Sequence, residues 1–499
     1  MMYYMGKIMG YSIPLKSSDL EAIFDVNVAE YGYKNKIKTN QLPNIEETYR
    51  TNIRRQRDKI LYTGGFRRLQ DKTQVISATV EGDHRTRLTH TLEVEQIAIS
   101  IANALQLNVD LVSAIALGHD VGHTPFGHAA ERTLCELLKE DGQFHHPIQS
   151  VRYLWEKYGS KIEPEIYEGI LLHDSDMFKI KKTKVYDQFK YLKTCDNETV
   201  EFENWVKVDE WLNSFPSTLE AQVVIWADKI AYITHDLEDF LRCSAYDNLK
   251  KNDTTIEKQL CYILDKLIIN KAINSLDNYE SRDLIRSIIS NLINSSVENI
   301  NSIYNLRQID VKVETEKRRE SWQSEGNNKE YLDSLIINFS KKYRDNYYEL
   351  RKFLDQYYIL SPKVQKSDAK AAVIVEWLFN KLSSNYKLLP LNLREEIDNA
   401  IIHEFSQNSV LKTLYDSVPK EKRNIVTLSK KIKESKNTFK AKLYMSLKRT
   451  TEIPEEMAYD NIKDKVVSRK VACYIATMSD SYAENMYRDL LGSKGDFIL

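Results

Sequence analysis

Glycine and proline are scarce in this chain, with 15 and 10 copies among 499 residues. Both break helices, so their rarity favours long helical runs. Cysteine is scarce too. Cys135, Cys195, Cys243, Cys261 and Cys473 show no CxxC spacing. That argues against a zinc ribbon or a disulfide framework and points to a reducing, cytoplasmic setting. Neither charge is in excess: 71 Lys and Arg face 72 Asp and Glu, a net charge of -1. There is no global electrostatic pull toward nucleic acid or a membrane surface. No run approaches the roughly 18 apolar residues of a membrane span, and Met1 to Ser12 lacks the apolar stretch of a signal peptide.

What is present fits a soluble globular protein, with 42% hydrophobic and 29% charged residues. A chain this long can bury one large core or two to three ordinary ones. Residues 46 to 70 read as a helical entry that Gly64-Gly65 would break or cap. Val75 to Val80 is β-branched and short, followed by a turn at Glu81-Gly82-Asp83, which suggests a small β-hairpin. From His90 onward Leu92, Ile97, Ile101 and Leu105 keep a helical period. Asp110 is a candidate N-cap for the next helix. Gly122, Pro125 and Gly127 force a loop, and a new helix starts near His128. Residues 175 to 220 are mixed and polar, 221 to 242 form a strong helix, and amphipathic helices dominate from 251 to 450. One stripe there is Ile256, Leu260, Ile263, Leu264 and Leu267. Lys317-Arg318-Arg319 and Lys341-Lys342-Tyr343-Arg344 read as basic patches interrupting these helices.

The chemistry concentrates elsewhere. Ala116 to Glu131 holds His119, Asp120, His123, His128 and Glu131. Imidazoles and carboxylates are the side chains that bind divalent metals and move protons. All ten histidines except His403 fall between residues 84 and 235. Adjacent His119-Asp120 at a helix end offers two ligands at once, and His90 supplies a third from another helix. Asp228, in Trp226-Ala227-Asp228-Lys229, completes an H…HD…D pattern. His128 and Glu131 stand three positions apart and share a helix face, so Glu131 can orient and charge His128 as a proton-transfer group. Arg87, three residues before His90, can reach a phosphate bidentately. His123 and Lys229 are further phosphate candidates. Arg67, Arg68 and Arg152 read as structural ion-pair partners.

These residues resemble the HD superfamily and, within it, the deoxyguanosine triphosphate triphosphohydrolase family. The likeness rests on a set of motifs in family order. They are Arg57-Asp58-Lys59-Ile60-Leu61-Tyr62 with Phe66-Arg67-Arg68-Leu69-Gln70-Asp71-Lys72-Thr73-Gln74-Val75, then Arg85 to Val94 around His90. Phe144-His145-His146-Pro147-Ile148-Gln149-Ser150-Val151-Arg152 follows, and Tyr474 to Ala483 closes the series. Pro147 stands where the family has Asn, and Thr477 where it has Gly. No such motif is read between 251 and 450.

The resemblance implies an all-α fold: an HD-domain helical core with a short β-hairpin and an additional C-terminal helical region. Its divisions are a segment 1–45, a core 46–250 and a region 251–499 packed on the core, with the closing motif at 466–490. It implies a metal-dependent reaction in which a dNTP, dGTP in particular, and water give a deoxynucleoside and intact triphosphate. His90, His119, Asp120 and Asp228 would hold one divalent cation, Mn²⁺ or Mg²⁺, with Co²⁺, Ni²⁺, Fe²⁺ and Zn²⁺ also compatible. His146 matches a catalytic-pocket histidine of a mammalian relative. Tyr232 and Asp236 share a helix face with Asp228. They match sugar-contacting residues of relatives, as does Gln74. The resemblance also implies a homo-oligomer, and single-stranded DNA or a dNTP as an effector. Two other readings stay open on the residues alone: another HD-type nucleotide phosphohydrolase, acting on a nucleoside monophosphate, a cyclic nucleotide or (p)ppGpp, and an inactive HD protein that binds dNTP or nucleic acid.

Overall fold

The computed structural model describes residues 25–34, 50–74, 85–174, 177, 182–192, 201–212, 215–243, 246, 254–324 and 331–491. The fold is all-α, as the scarcity of helix breakers implies, and no strand occurs among the described residues. An isolated antiparallel bridge joins Thr73 to Thr86. The hairpin expected between them, at 75–83, lies outside the described residues.

The first helices are α1 (Asn52–Leu61) and α2 (Gly64–Arg68), each opened by a threonine cap. Thr51 accepts from Arg54 N and Thr63 from Phe66 N. The two glycines therefore do not end α1; they form the first turn of α2. Gly65 is demanded by packing, because a Cβ there would lie 2.6 Å from the Tyr153 ring.

Next come α3 (Arg87–Ala104), α4 (Val109–Gly118), α5 (Gly127–Leu137), α6 (His146–Tyr158) and α7 (Pro164–Leu172). Asn108, not Asp110, caps α4, its Oδ1 accepting from Leu111 N at 3.0 Å. Tertiary bonds decide this. Asn108 also donates to Tyr33 O and takes Glu220 Oε1 on its own N–H. Asp110 instead sits in the first turn, where its charge faces the positive helix end and accepts from Thr51 Oγ1 at 2.9 Å. Pro147 occupies the first turn of α6, where a missing N–H costs nothing, so the departure from Asn is accommodated.

The long helix α8 (Leu219–Arg242) is buried on most sides and packs on α3, α4 and α7. α9 (Thr254–Leu267) buries the whole stripe Ile256, Leu260, Ile263, Leu264 and Leu267. α10 (Ser281–Asn301), α11 (Gln308–Ser324) and α12 (Lys341–Leu354) follow. The two basic patches do not interrupt helices: one lies inside α11 and the other opens α12. Lys and Arg are good helix formers, and Arg318 and Arg344 are paired with Glu314 and Asp333.

Beyond them run α13 (Pro362–Ser384), α14 (Leu391–Gln407), α15 (Ile425–Lys436), α16 (Phe439–Lys448), α17 (Pro454–Ala476) and α18 (Asp480–Leu491). One apolar core draws on residues from Tyr33 to Val364. A second joins Leu134 of α5 and Leu138 just past its end to Val375 and Leu378 of α13 and to Val471 and Ile475 of α17. Each such fully buried aliphatic side chain contributes about 1.5–3 kcal/mol. No described helix is long and apolar enough to cross a membrane.

Candidate functional site

The ends of α3 and α4 and the middle of α8 meet at one point. Thr86 caps α3, so His90 points inward one turn later. α4 stops at Gly118, and His119-Asp120 follow directly. Gly122 then lets the chain press against α6: a Cβ there would lie 2.2 Å from Ser150 N. Ser150 locks the contact, accepting from Gly122 N and donating to His119 O at 2.8 Å.

The four residues expected to bind metal converge. His90 Nε2 is 3.0 Å from Asp228 Oδ1, and His119 Nε2 is 3.8 Å from the same oxygen and 3.5 Å from Asp120 Oδ2. Ligand atoms of His90, His119 and Asp120 all lie within 4.8 Å of one another. His119 Nδ1 donates to Ala116 O at 2.6 Å, which leaves Nε2 as a buried lone pair with no hydrogen-bond partner among the described residues. Such an atom is costly unless a ligand takes it. Two imidazoles and two carboxylates suit Mn, Fe, Co or Ni better than Mg. The donor set therefore fits a divalent cation.

Arg87 is almost fully buried and donates from Nη1 to Asp120 Oδ2 at 2.6 Å. Burial alone would raise the Asp120 carboxyl, but His119 and Arg87 outweigh it and hold it well below the usual range. Nε and Nη2 of Arg87 have no hydrogen-bond partner among the described residues.

A second cluster adjoins the first. Glu131 Oε2 bonds His128 Nδ1 at 3.0 Å, and Oε1 accepts from both N and Nδ1 of His146, at 2.7 and 2.8 Å. His146 Nε2 lies 3.1 Å from His173 Nε2. Nδ1 of His173 donates to Ile170 O, so its Nε2 accepts and His146 donates from both nitrogens. Burial would lower His146, yet Glu131 and Asp120 overcome it and raise it to about 9. His123 goes the other way: burial, with Arg87 and His146 near, pushes it well down. Its Nε2 lies 3.9 Å from Glu131 Oε2 and has no hydrogen-bond partner among the described residues.

The sugar-contact candidates lie on α8 and beside Arg87. Asp236 is buried and its oxygens lack a hydrogen bond of regular geometry. Burial pushes its carboxyl up to about 8 against the pull of Arg351 and Tyr232. The Arg351 guanidinium sits 4.7 Å from the Tyr232 ring centre. Gln74 is buried, its Oε1 without a hydrogen-bond partner among the described residues and its carbonyl beside Gly127. Lys229 is half-buried, one position round the helix from Asp228, and its carbonyl accepts from Tyr347 Oη at 2.9 Å. Arg152 is structural: it donates to the carbonyls of Gln188 and Lys190 and pairs with Glu156.

Three residues of the site were not singled out from the sequence. His235 Nδ1 is 3.3 Å from His90 Nδ1, and its Nε2 pairs with Glu93. Its position seven after Asp228 puts it on the same face of α8, a signal that was there to read. His173 closes a file of ring contacts running His235, His90, His119, His173, His146, His123, His128, with centres 4.5 to 5.8 Å apart. The clustering of histidines in sequence was its only trace. Arg351 comes from α12 and carried no signal.

Comparison with known proteins agrees with this geometry. The HD domain model matches residues 87–233, and the phosphohydrolase-associated domain model matches residues 337–418. The second match lies where no family motif is read from the sequence, and it covers Tyr347 and Arg351. The deoxyguanosinetriphosphate triphosphohydrolase-like protein of Rickettsia bellii (strain RML369-C) is 35% identical over 363 residues, 71% of this chain and 85% of that protein. The protein of the same description from Rickettsia felis (strain ATCC VR-1525 / URRWXCal2) is 34% identical over 367 residues, 71% and 85%.

Proposed function

Because this chain belongs to the deoxyguanosinetriphosphate triphosphohydrolase-like family of HD-domain proteins, we propose that it hydrolyses dNTPs, dGTP first among them, to deoxynucleoside and inorganic triphosphate. Water adds to the α-phosphorus, the bond from phosphorus to the 5′ oxygen breaks, and the triphosphate leaves whole. One observation carries this reading beyond the family. Gln74, Arg87, His119 and His123 each present buried polar atoms with no hydrogen-bond partner among the described residues. Native proteins rarely leave such atoms unmatched, and here Arg87 is bonded to Asp120 and His119 is part of the convergence of His90, His119, Asp120 and Asp228. A divalent cation on His119 and a ligand rich in phosphate and hydroxyl groups would satisfy them.

His90, His119, Asp120 and Asp228 would hold the divalent cation, Mn²⁺ or Mg²⁺. When bound, it supplies Lewis-acid polarisation of a phosphoryl oxygen and a more acidic water. The free N–H groups of Arg87, with His123 and Lys229, bind phosphate oxygens. Glu131 orients His128, which delivers a proton to the departing 5′ oxygen. His146, bonded to the other oxygen of Glu131, keeps that carboxylate ionised. Tyr232 packs on the sugar where a 2′-hydroxyl would clash, and Asp236 with Gln74 bonds the 3′-hydroxyl.

Purified protein with Mn²⁺ and each dNTP in turn tests the reading. The expected products are deoxynucleoside and triphosphate. Orthophosphate, pyrophosphate or no product rejects it.

A further inference from the structure

The closing motif, Tyr474 to Ala483, has no side chain in the site described above, yet it is wired to it. Lys72 is buried, and its Nζ donates to the carbonyls of His123 and Ala476. Asp480 is buried at the start of α18. Its Oδ2 accepts from Thr73 N at 3.0 Å and from Thr73 Oγ1, and its Oδ1 accepts from Phe126 N at 2.8 Å. Ser481 Oγ donates to Asp71 Oδ1 at 2.9 Å. Three segments far apart in sequence are thus tied at one knot: 71–73, the loop 123–126, and the α17–α18 junction.

The knot lies directly behind working residues. Thr73 precedes Gln74. Phe126 takes a left-handed backbone, φ 58°, and is the N-cap residue of α5 with no side-chain cap of its own. A non-glycine residue in that region is strained and persists only when its surroundings enforce it. Asp480 supplies that enforcement from the C-terminal end of the chain. The turn it holds sets the direction of α5, and with it His128 and Glu131.

We propose that Asp480 and Lys72 are positioning residues: the α17–α18 junction is a strut that fixes the loop 123–126 and the entry of α5. The idea rests on the reading that His123, His128 and Glu131 serve the reaction. It also explains why the motifs at 66–75 and 474–483 occur in one chain, since each supplies the other's hydrogen-bond partners.

The test uses Asp480→Asn, which keeps the shape but cannot accept all three bonds, and Thr73→Val, which removes one. Amide exchange across residues 121–128, Mn²⁺ affinity, Tm, and kcat and KM for the dNTPs are measured on each full-length variant. The expected result for Asp480→Asn is exchange in 121–128 faster by tenfold or more and kcat lower by a similar factor, with Mn²⁺ affinity within twofold. Thr73→Val should shift both in the same direction by less, and it carries the test if Asp480→Asn does not fold. A folded variant with exchange and kcat within twofold of wild type overturns the proposal. So does a lower Tm with unchanged kcat, which is the mark of a merely structural residue. If the wild-type protein yields no triphosphate, the functional reading falls, and the exchange measurement alone still decides whether the strut holds the loop.

Discussion

Arg87 Nη1 donates to Asp120 Oδ2 across 2.6 Å, and both side chains are almost wholly buried. The proposed anchor for phosphate and the proposed ligand for the cation are thereby one electrostatic unit. Removing one partner of a buried pair strands the other's charge, a penalty of about 3–5 kcal/mol. Arg87→Met should therefore lower Tm markedly in cation-free protein, and Mn²⁺ should restore part of it. Thermal melts with and without Mn²⁺ check this. An unchanged Tm would show that the pair adds nothing.

The ring of His90 is held from behind by His235, itself tied to Glu93. Partners of this kind typically account for about 10–100-fold in metal affinity. Titration calorimetry with Mn²⁺ should find no binding for His119→Ala and Asp228→Ala, and affinity weakened by about that factor for His235→Ala. Wild-type affinity in His235→Ala would remove His235 from the site.

Tyr232 sits between Asp228 and Asp236 on α8 with Arg351 against its ring. The ratio of dGTP to GTP turnover should fall in Tyr232→Ala, because the truncated side chain no longer meets the 2′-hydroxyl. The same ratio as wild type would contradict the sugar role.

Away from the site, Glu168 is fully buried and accepts from Ser217 N and Oγ. Burial pushes its carboxyl up from 4.5 to about 7. A carboxyl with a higher pKa in the fold than unfolded holds its proton more tightly in the fold. Its contribution is fully present below pH 4.5 and is lost as pH rises through 7. The loss is about 3 kcal/mol over that window. Denaturant melts of Glu168→Gln should show a flatter stability curve from pH 4.5 to 7 than wild type. Identical slopes would refute the assignment.

The helical class was legible because so few residues break helices, and the convergence of His90, His119, Asp120 and Asp228 because His and Asp in that pattern suit few tasks other than holding a cation. Periodicity placed the stripe on α9 for the same reason. Other features depended on contacts that sequence distance hides. The cap of α4 went to Asn108 because Tyr33 and Glu220 fix it there. Arg351 reaches Tyr232 only through the docking of α12. The motif around Asp480 could be read as a motif, but its partners, Thr73 and Phe126, emerge only in the fold. Thr477 is tolerated in place of Gly because its φ of -81° asks nothing of glycine.

The central claim is attack at the α-phosphorus with release of intact triphosphate. Hydrolysis of dGTP in ¹⁸O-water, followed by mass spectrometry of both products, tests it most directly. The account requires one ¹⁸O in the inorganic triphosphate and none in the deoxyguanosine. Label in the nucleoside, or label in orthophosphate or pyrophosphate instead of triphosphate, would contradict it.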